Sequence, residues 1–220
     1  MSPSLITLPI YDLATRSASG FMIRYIVPRL GPPVLYSFMD KNPLFKLLSK
    51  KADLIIGVGH GLPDLFMGHN DVTLLKLGEY NKDEVEGKVI RLITCQTANE
   101  LGPDLIANGC KAYWGFNDDL IWVVDADLYT RPWTDPLAEP SMIPILMGTN
   151  LLLNGEPIGE AFNKEQDKYS EMASIEEDDL IRSMLEFNRE NSVLLGDHSA
   201  RVKPRLKISL PIGPPPLSPF

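Results

Sequence analysis

The chain has 220 residues, 44% of them hydrophobic, which is enough to bury one sizeable core. A formal net charge of −8 disfavours a nucleic-acid-binding protein that acts by neutralising phosphates. The two cysteines, Cys95 and Cys110, are too few for a disulfide framework or a thiolate zinc site, and we expect no metal or cofactor.

Short apolar runs alternate with amphipathic stretches, which is the pattern of an α/β protein whose mainly parallel sheet has helices on its faces. Strands are predicted at 5–10, 34–38, 53–58, 88–94 and 111–116. Helices are predicted at 16–29, 43–49, 143–153, 156–169 and 178–188, with one more between Cys95 and Gly109. Long loops are predicted over 118–140, with room for a short strand at 120–124, and terminal strands are expected at 193–195 and 201–208.

Two side chains with catalytic chemistry follow the two most apolar of the predicted strands. His60 comes after the strand 53–58, and Cys95 comes directly after the strand 88–94. In an open parallel sheet, ligands bind beyond the carboxyl ends of the strands. If the two strands are neighbours, His60 and Cys95 therefore face one another at one rim of the sheet, about one strand spacing (roughly 5 Å) apart.

The residues around this pair favour a reactive thiol. Thr97-x-x-Glu100 fits a capping box that would start a helix just after Cys95, although a later start at Gly102-Pro103 is also open. A helix N-terminus and an imidazole both stabilise a thiolate. The backbone N–H groups of Gly61 and Cys95 are candidates for holding an oxyanion.

Taken singly, each residue has a plainer interpretation. A cysteine after a buried strand is often a small apolar core residue, and a histidine after a strand is often structural. We assign that plainer role to Cys110, and a solvated or structural role to His69 and His198. His60 and Cys95 differ because they occupy matching strand ends.

The order of these motifs resembles that of clan CD cysteine peptidases, the group that includes caspases, legumain, separase, clostripain and gingipains. The shared features are an apolar block ending in His60-Gly61 and a later apolar block ending in Cys95. Three further stretches resemble the gingipain and CHAT-domain branch, namely 101–116 (LGPDLIANGCKAYWGF), 151–162 (LLLNGEPIGEAF) and 194–201 (LLGDHSAR, with His198 where proline is usual).

The resemblance implies a caspase-like αβα sandwich and a cysteine endopeptidase that acts through a His60–Cys95 dyad, with Gly61 and Cys95 forming the oxyanion hole. Members that cleave after basic residues use an acid in the substrate pocket, and we expect such a preference here. The candidate pocket acids are Asp12, Asp118, Asp119, Asp125 and Asp127. Caspases use an arginine instead, for which Arg16 is the candidate, and Asp12 has the alternative role of a helix cap.

Two other functions stay open. A non-proteolytic CHAT-like interaction or regulatory module could use the same fold, and 57–61 could form a phosphate loop, although it lacks the lysine of a P-loop. One domain is predicted over 1–210, followed by a proline-rich tail over 211–220. No apolar run reaches the roughly 18 residues of a membrane span, and the first nine residues do not resemble a signal peptide. We therefore expect a cytoplasmic protein with a protein or peptide substrate and no nucleic-acid or membrane partner.

Overall fold

A six-stranded sheet forms the centre of the structure. Residues 4–30 and 34–204 are described by a computed structural model. The strands are β1 (Ser4–Leu8), β2 (Val34–Tyr36), β3 (Leu54–Val58), β4 (His60–Leu62), β5 (Leu65–Met67), β6 (Thr73–Lys76), β7 (Val89–Ile93), β8 (Ala112–Phe116) and β9 (Ser192–Gly196). The helices are α1 (Leu13–Tyr25), α2 (Val27–Leu30), α3 (Asn42–Ser49), α4 (Lys82–Val85), α5 (Leu101–Ala107), α6 (Glu139–Leu153), α7 (Ile158–Ile175) and α8 (Asp179–Asn191).

The strand order of the central sheet is β2-β1-β3-β7-β8-β9. Every neighbouring pair is parallel except β8 and β9, which are antiparallel. The predicted αβα arrangement with a mainly parallel central sheet is confirmed. β3 and β7 are central neighbours, and Val58 pairs with Ile93, so their carboxyl ends lie side by side.

Helices cover the sheet on both faces because alternate residues of each buried strand point to opposite sides. Ile56 of β3 belongs to one apolar core and Ile55 to the other. The first core also receives side chains from α1, α6, α7 and α8, whereas the second receives them from α3 and α5. No helix within the described ranges is long and apolar enough to cross a membrane.

Several local predictions are wrong. The stretch between β3 and β7, which was given no secondary structure, contains the antiparallel sheet β4-β5-β6. Residues 120–124 are unpaired, and so is the described part of the last predicted strand, 201–204. The predicted tail and the rest of that strand lie outside the described residues.

Candidate active site

His60 and Cys95 lie at the same edge of the sheet, as predicted. β3 ends at Val58 and β7 at Ile93, and each of the two residues stands two positions beyond its strand. Because Val58 and Ile93 are paired in register, the chain leaves both strands at the same level. Both His60 and Cys95 line one small cavity at this edge. The structure therefore brings together the two residues chosen from the sequence.

A tight turn, rather than a helix start, presents Cys95. Gln96 adopts a left-handed conformation with φ of 58°, which costs a non-glycine residue about 1–2 kcal/mol. Its N–H donates to the carbonyl oxygen of Asp118 at 3.0 Å, which ties the turn to the chain leaving β8. The hydroxyls of Thr94 and Thr97 bond each other at 2.8 Å beneath the turn. No sequence pattern predicted the positive φ at Gln96.

The expected capping box does not form. The helix after Cys95 is α5, which begins at Leu101 with Glu100 as its N-cap residue and no side-chain cap. The Thr97 hydroxyl instead accepts a hydrogen bond from the Tyr113 hydroxyl, at 2.7 Å. The helix thus begins six positions beyond Cys95 and cannot stabilise a thiolate there, contrary to the expectation from the sequence.

Gly61 makes a close backbone contact with the Cys95 turn. A Cβ atom at position 61 would clash with the carbonyl oxygen of Cys95 and lie 2.7 Å from Cγ2 of Thr97. Only glycine lets β4 pass this close to the turn, so Gly61 fixes the distance between the histidine and cysteine segments. The predicted role of the Gly61 N–H in an oxyanion hole stays a prediction.

Asp12 is the partner of His60. Its Oδ2 atom lies 2.7 Å from Nε2 of His60, and a carboxylate can only accept, so Nε2–H donates. Its Oδ1 atom accepts from the N–H and the hydroxyl of Thr15, at 2.8 and 2.9 Å, which caps α1. Burial alone would raise the pKa of Asp12, but the hydrogen bonds from Thr15 and His60 outweigh it and lower the pKa.

This geometry changes the interpretation of Asp12. The helix-cap alternative is confirmed, and the contact with His60 is one that sequence reasoning missed. Both carboxylate oxygens of Asp12 are already engaged, so little of it is left to bind a basic substrate side chain. The only feature of the sequence that could have indicated the contact with His60 was the position of Asp12 beyond the end of β1, which neighbours β3 in the sheet.

Aromatic and polar contacts also support the side of the site that carries His60. The ring of Tyr11 packs edge-on against His60, with centroids 5.9 Å apart, and against His69 at 5.4 Å. The Tyr11 hydroxyl donates to Asp71. Nδ1 of His69 accepts from the backbone N–H of Ile10, at 3.4 Å, in keeping with the structural role assigned to His69.

The surroundings of Cys95 raise the pKa of its thiol. Burial raises its pKa, and the negative charges of Asp119 and Asp118 raise it further, whereas the N–H of Leu120 partly offsets them. The expected lowering of this pKa is therefore wrong. A raised pKa means that a neighbouring general base, rather than a preformed ion pair, would have to remove the thiol proton of Cys95.

The other predicted pocket residues do not line the cavity, although Asp119 lies beside the Cys95 thiol. Asp119 is exposed and accepts from the Gln96 side-chain amide at 2.9 Å, and Asp118 is also exposed. Asp125 caps a short 3-10 turn by accepting from the N–H of Asp127. Arg16 donates to the carbonyl oxygen of Ile10 at 3.1 Å and lies over the ring of Tyr129.

The cavity beside His60 and Cys95 is small and mostly apolar. Its volume is about 60 Å³. Besides His60 and Cys95 it is lined by Ala14, Thr15, Ala18, Val58, Gly59, Ile93, Thr94, Leu120 and Trp122. None of the predicted pocket acids and no arginine is among these lining residues.

Comparison with known proteins adds a distant structural likeness. No protein-family model matches the chain, and no curated protein matches it. The chain is similar to a chain of the Saccharomyces cerevisiae separase–securin complex, with a TM-score of 0.46 and 16% sequence identity. The similar region covers 89% of this chain and only 12% of the other.

Proposed function

We propose that the protein is a cysteine peptidase in which Cys95 is the nucleophile and His60 the general base and acid. The observation that supports this most directly is that both residues line one cavity while Asp12 holds the far nitrogen of His60. A nucleophile, a base and a group that orients the base are the three parts that acyl transfer requires.

The proposed reaction follows from the hydrogen bonding of His60. Since Nε2–H donates to Asp12, Nδ1 is the nitrogen left to accept the thiol proton. The sulfur then attacks the peptide carbonyl carbon, the imidazolium gives its proton to the leaving amine, and the C–N bond breaks. Water, deprotonated by the same nitrogen, hydrolyses the thioester and releases the carboxylate product.

The tetrahedral intermediate needs donors for its oxygen. Within the part of the chain that the structure describes, the N–H of Cys95 makes no hydrogen bond, so it is available to an oxyanion. Gly61 brings the β4 backbone against the same turn. We propose that these two N–H groups form the oxyanion hole, and the loss of one such donor costs about 10²–10³ in kcat.

Hydrolysis of a fluorogenic peptide library tests the proposal, with the two cysteines as a matched pair. Cys95→Ala should abolish cleavage, whereas Cys110→Ala should retain it because Cys110 is buried away from the site and bonds the carbonyl oxygens of Lys88 and Ala112. Equal activity of wild type and Cys95→Ala would contradict the proposal. Absence of turnover in wild type with a thiol that reacts normally would favour a non-proteolytic module on this fold.

A further inference from the structure

The cavity beside Cys95 has the size and chemistry of a subsite for one small side chain. It is formed by the first turns of α1, by the ends of β3 and β7, and by the segment 120–122. From this geometry we infer that the enzyme selects peptides with a small aliphatic residue, such as alanine or valine, immediately before the bond it cleaves. This inference rests on the proposed function and names its substrate class.

The volume of the cavity limits the size of the substrate side chain that can enter it. A cavity of roughly 150 Å³ holds a benzene molecule, whereas this one measures about 60 Å³. A methyl or isopropyl group fits such a space, but an aromatic ring does not. The walls are fixed, since Ala18, Val58, Ile93 and Leu120 are all buried in the surrounding core.

The lining excludes charged side chains. A lysine, arginine or aspartate side chain inside the cavity would be desolvated, and the lining contains no Lys, Arg, Asp or Glu residue. Asp12 is occupied by His60 and Thr15, and the guanidinium of Arg16 is occupied by Ile10 and Tyr129. The two kinds of charged pocket expected from the sequence are therefore both missing from the cavity.

Asp119 is the residue that could favour a basic substrate side chain instead of a small aliphatic one. It lies close enough to the Cys95 thiol to raise its pKa, it is exposed, and it is outside the cavity lining. A basic side chain could pair with Asp119 only by lying across the solvent side of the thiol, with its aliphatic stem left out of the cavity. We therefore treat basic selectivity as the result that would overturn the inference.

Trp122 forms the wall that is easiest to change. It is half-buried, and its ring N–H donates to the hydroxyl of Ser17 at 3.2 Å. Replacing it by alanine should enlarge the cavity and admit leucine or phenylalanine. Ala14 lies on the half-exposed first turn of α1, so Ala14→Val should narrow the cavity with little effect on folding.

The test measures inactivation rates with peptidyl acyloxymethyl ketones that differ only in the residue next to the reactive ketone, and locates the adduct by mass spectrometry. Alanine and valine probes should label Cys95 at least about 100-fold faster than lysine, arginine or aspartate probes, given the discrimination typical of apolar pockets. Trp122→Ala should shift the preference towards leucine or phenylalanine, and Ala14→Val should slow the valine probe more than the alanine probe.

The outcomes separate the two claims. Fastest labelling of Cys95 by a charged probe, or an unchanged preference in both variants, would overturn the inference while leaving the proposed peptidase intact. Failure of every probe to label Cys95, in protein whose thiol still reacts with iodoacetamide, would overturn the proposed function and this inference with it.

Discussion

At the scale of single residues, the main finding is that the two carboxylate oxygens of Asp12 have different hydrogen-bond partners. One oxygen caps α1 through Thr15 and the other accepts from His60. An imidazole held in this way keeps one tautomer, with Nδ1 free to act as the base. In the proposed reaction, the same carboxylate would stabilise the imidazolium formed when His60 takes the thiol proton.

Asp12→Asn should lower kcat by about 10²–10⁴, because the amide keeps the shape of the side chain but removes the charge that favours this tautomer and the imidazolium. Steady-state kinetics on a cleaved peptide measure the effect. Asp178→Asn is the control for a weakened helix cap, since Asp178 caps α8 through the N–H groups of Leu180 and Ile181 and lies outside the cavity lining. A similar loss of kcat in both variants would show that Asp12 acts only through helix capping.

Asp119 should control the reactivity of the resting thiol. Burial is the largest cause of the raised pKa of Cys95, and the charge of Asp119 is the largest cause from another side chain that acts in the same direction. Asp119→Asn should therefore lower this pKa, so that iodoacetamide labels Cys95 faster at neutral pH and the midpoint of the pH–rate curve moves down. Asp127→Asn, an exposed change in the same loop region, should leave the midpoint unchanged. An unmoved midpoint in Asp119→Asn would contradict this account.

At the scale of elements, the segment 118–122 acts as a fixed wall rather than as a loose loop. Asn188 of α8 is fully buried and clamps Ile121 by accepting from its N–H at 3.0 Å and donating to its carbonyl oxygen at 2.6 Å. This clamp positions Leu120 and Trp122 on either side of the held residue, against the cavity. α8 therefore shapes the site although it contributes no residue to it.

Asn188→Leu should destabilise the protein by about 1–3 kcal/mol, because the two backbone groups of Ile121 lose their partners. Hydrogen exchange should rise most strongly at residues 120–124, and chemical denaturation gives the change in free energy of unfolding. Glu186→Ala, an exposed change on the same helix, is the control and should alter neither measurement. An equal rise in hydrogen exchange across the whole sheet would instead indicate that Asn188→Leu destabilises the whole protein and that Asn188 is not a local clamp.

The comparison of prediction with structure is also clearest at this scale. The strands around 53–58 and 88–94 could be predicted because nearly every residue in them is apolar, and the parallel topology then fixed where His60 and Cys95 lie. The small sheet β4-β5-β6 was missed because its three strands are only three or four residues long. The Asp12–His60 contact was missed because it joins residues 48 positions apart.

At the scale of the whole molecule, one buried carboxyl group should make stability depend on pH. Asp40 is fully buried, and neither of its oxygens has a hydrogen-bond partner within the described residues. Burial raises its pKa from 3.8 to about 7, and the nearby backbone N–H of His69 offsets only part of this rise. Between these values the folded state binds more protons than the unfolded state, so stability falls as the pH rises.

The free energy of unfolding should therefore decrease between about pH 4 and pH 7, and Asp40→Asn should reduce the slope. Some slope should remain, since burial also raises the pKa of Glu165 although Arg91 opposes this. Urea denaturation at several pH values measures the slope, with exposed Asp53→Asn as the control. An identical slope in wild type and Asp40→Asn would contradict the assignment.

The central claim is that Cys95 attacks acyl carbon with the help of His60. Its most direct test is rapid acid quenching after the protein is mixed with an activated ester of an N-acylated alanine, followed by mass spectrometry of the peptides. We predict an acyl group on Cys95 and none on Cys110, with both its formation and its hydrolysis much slower in His60→Gln. An acyl group elsewhere, no acyl group, or the same rates in His60→Gln would contradict the claim.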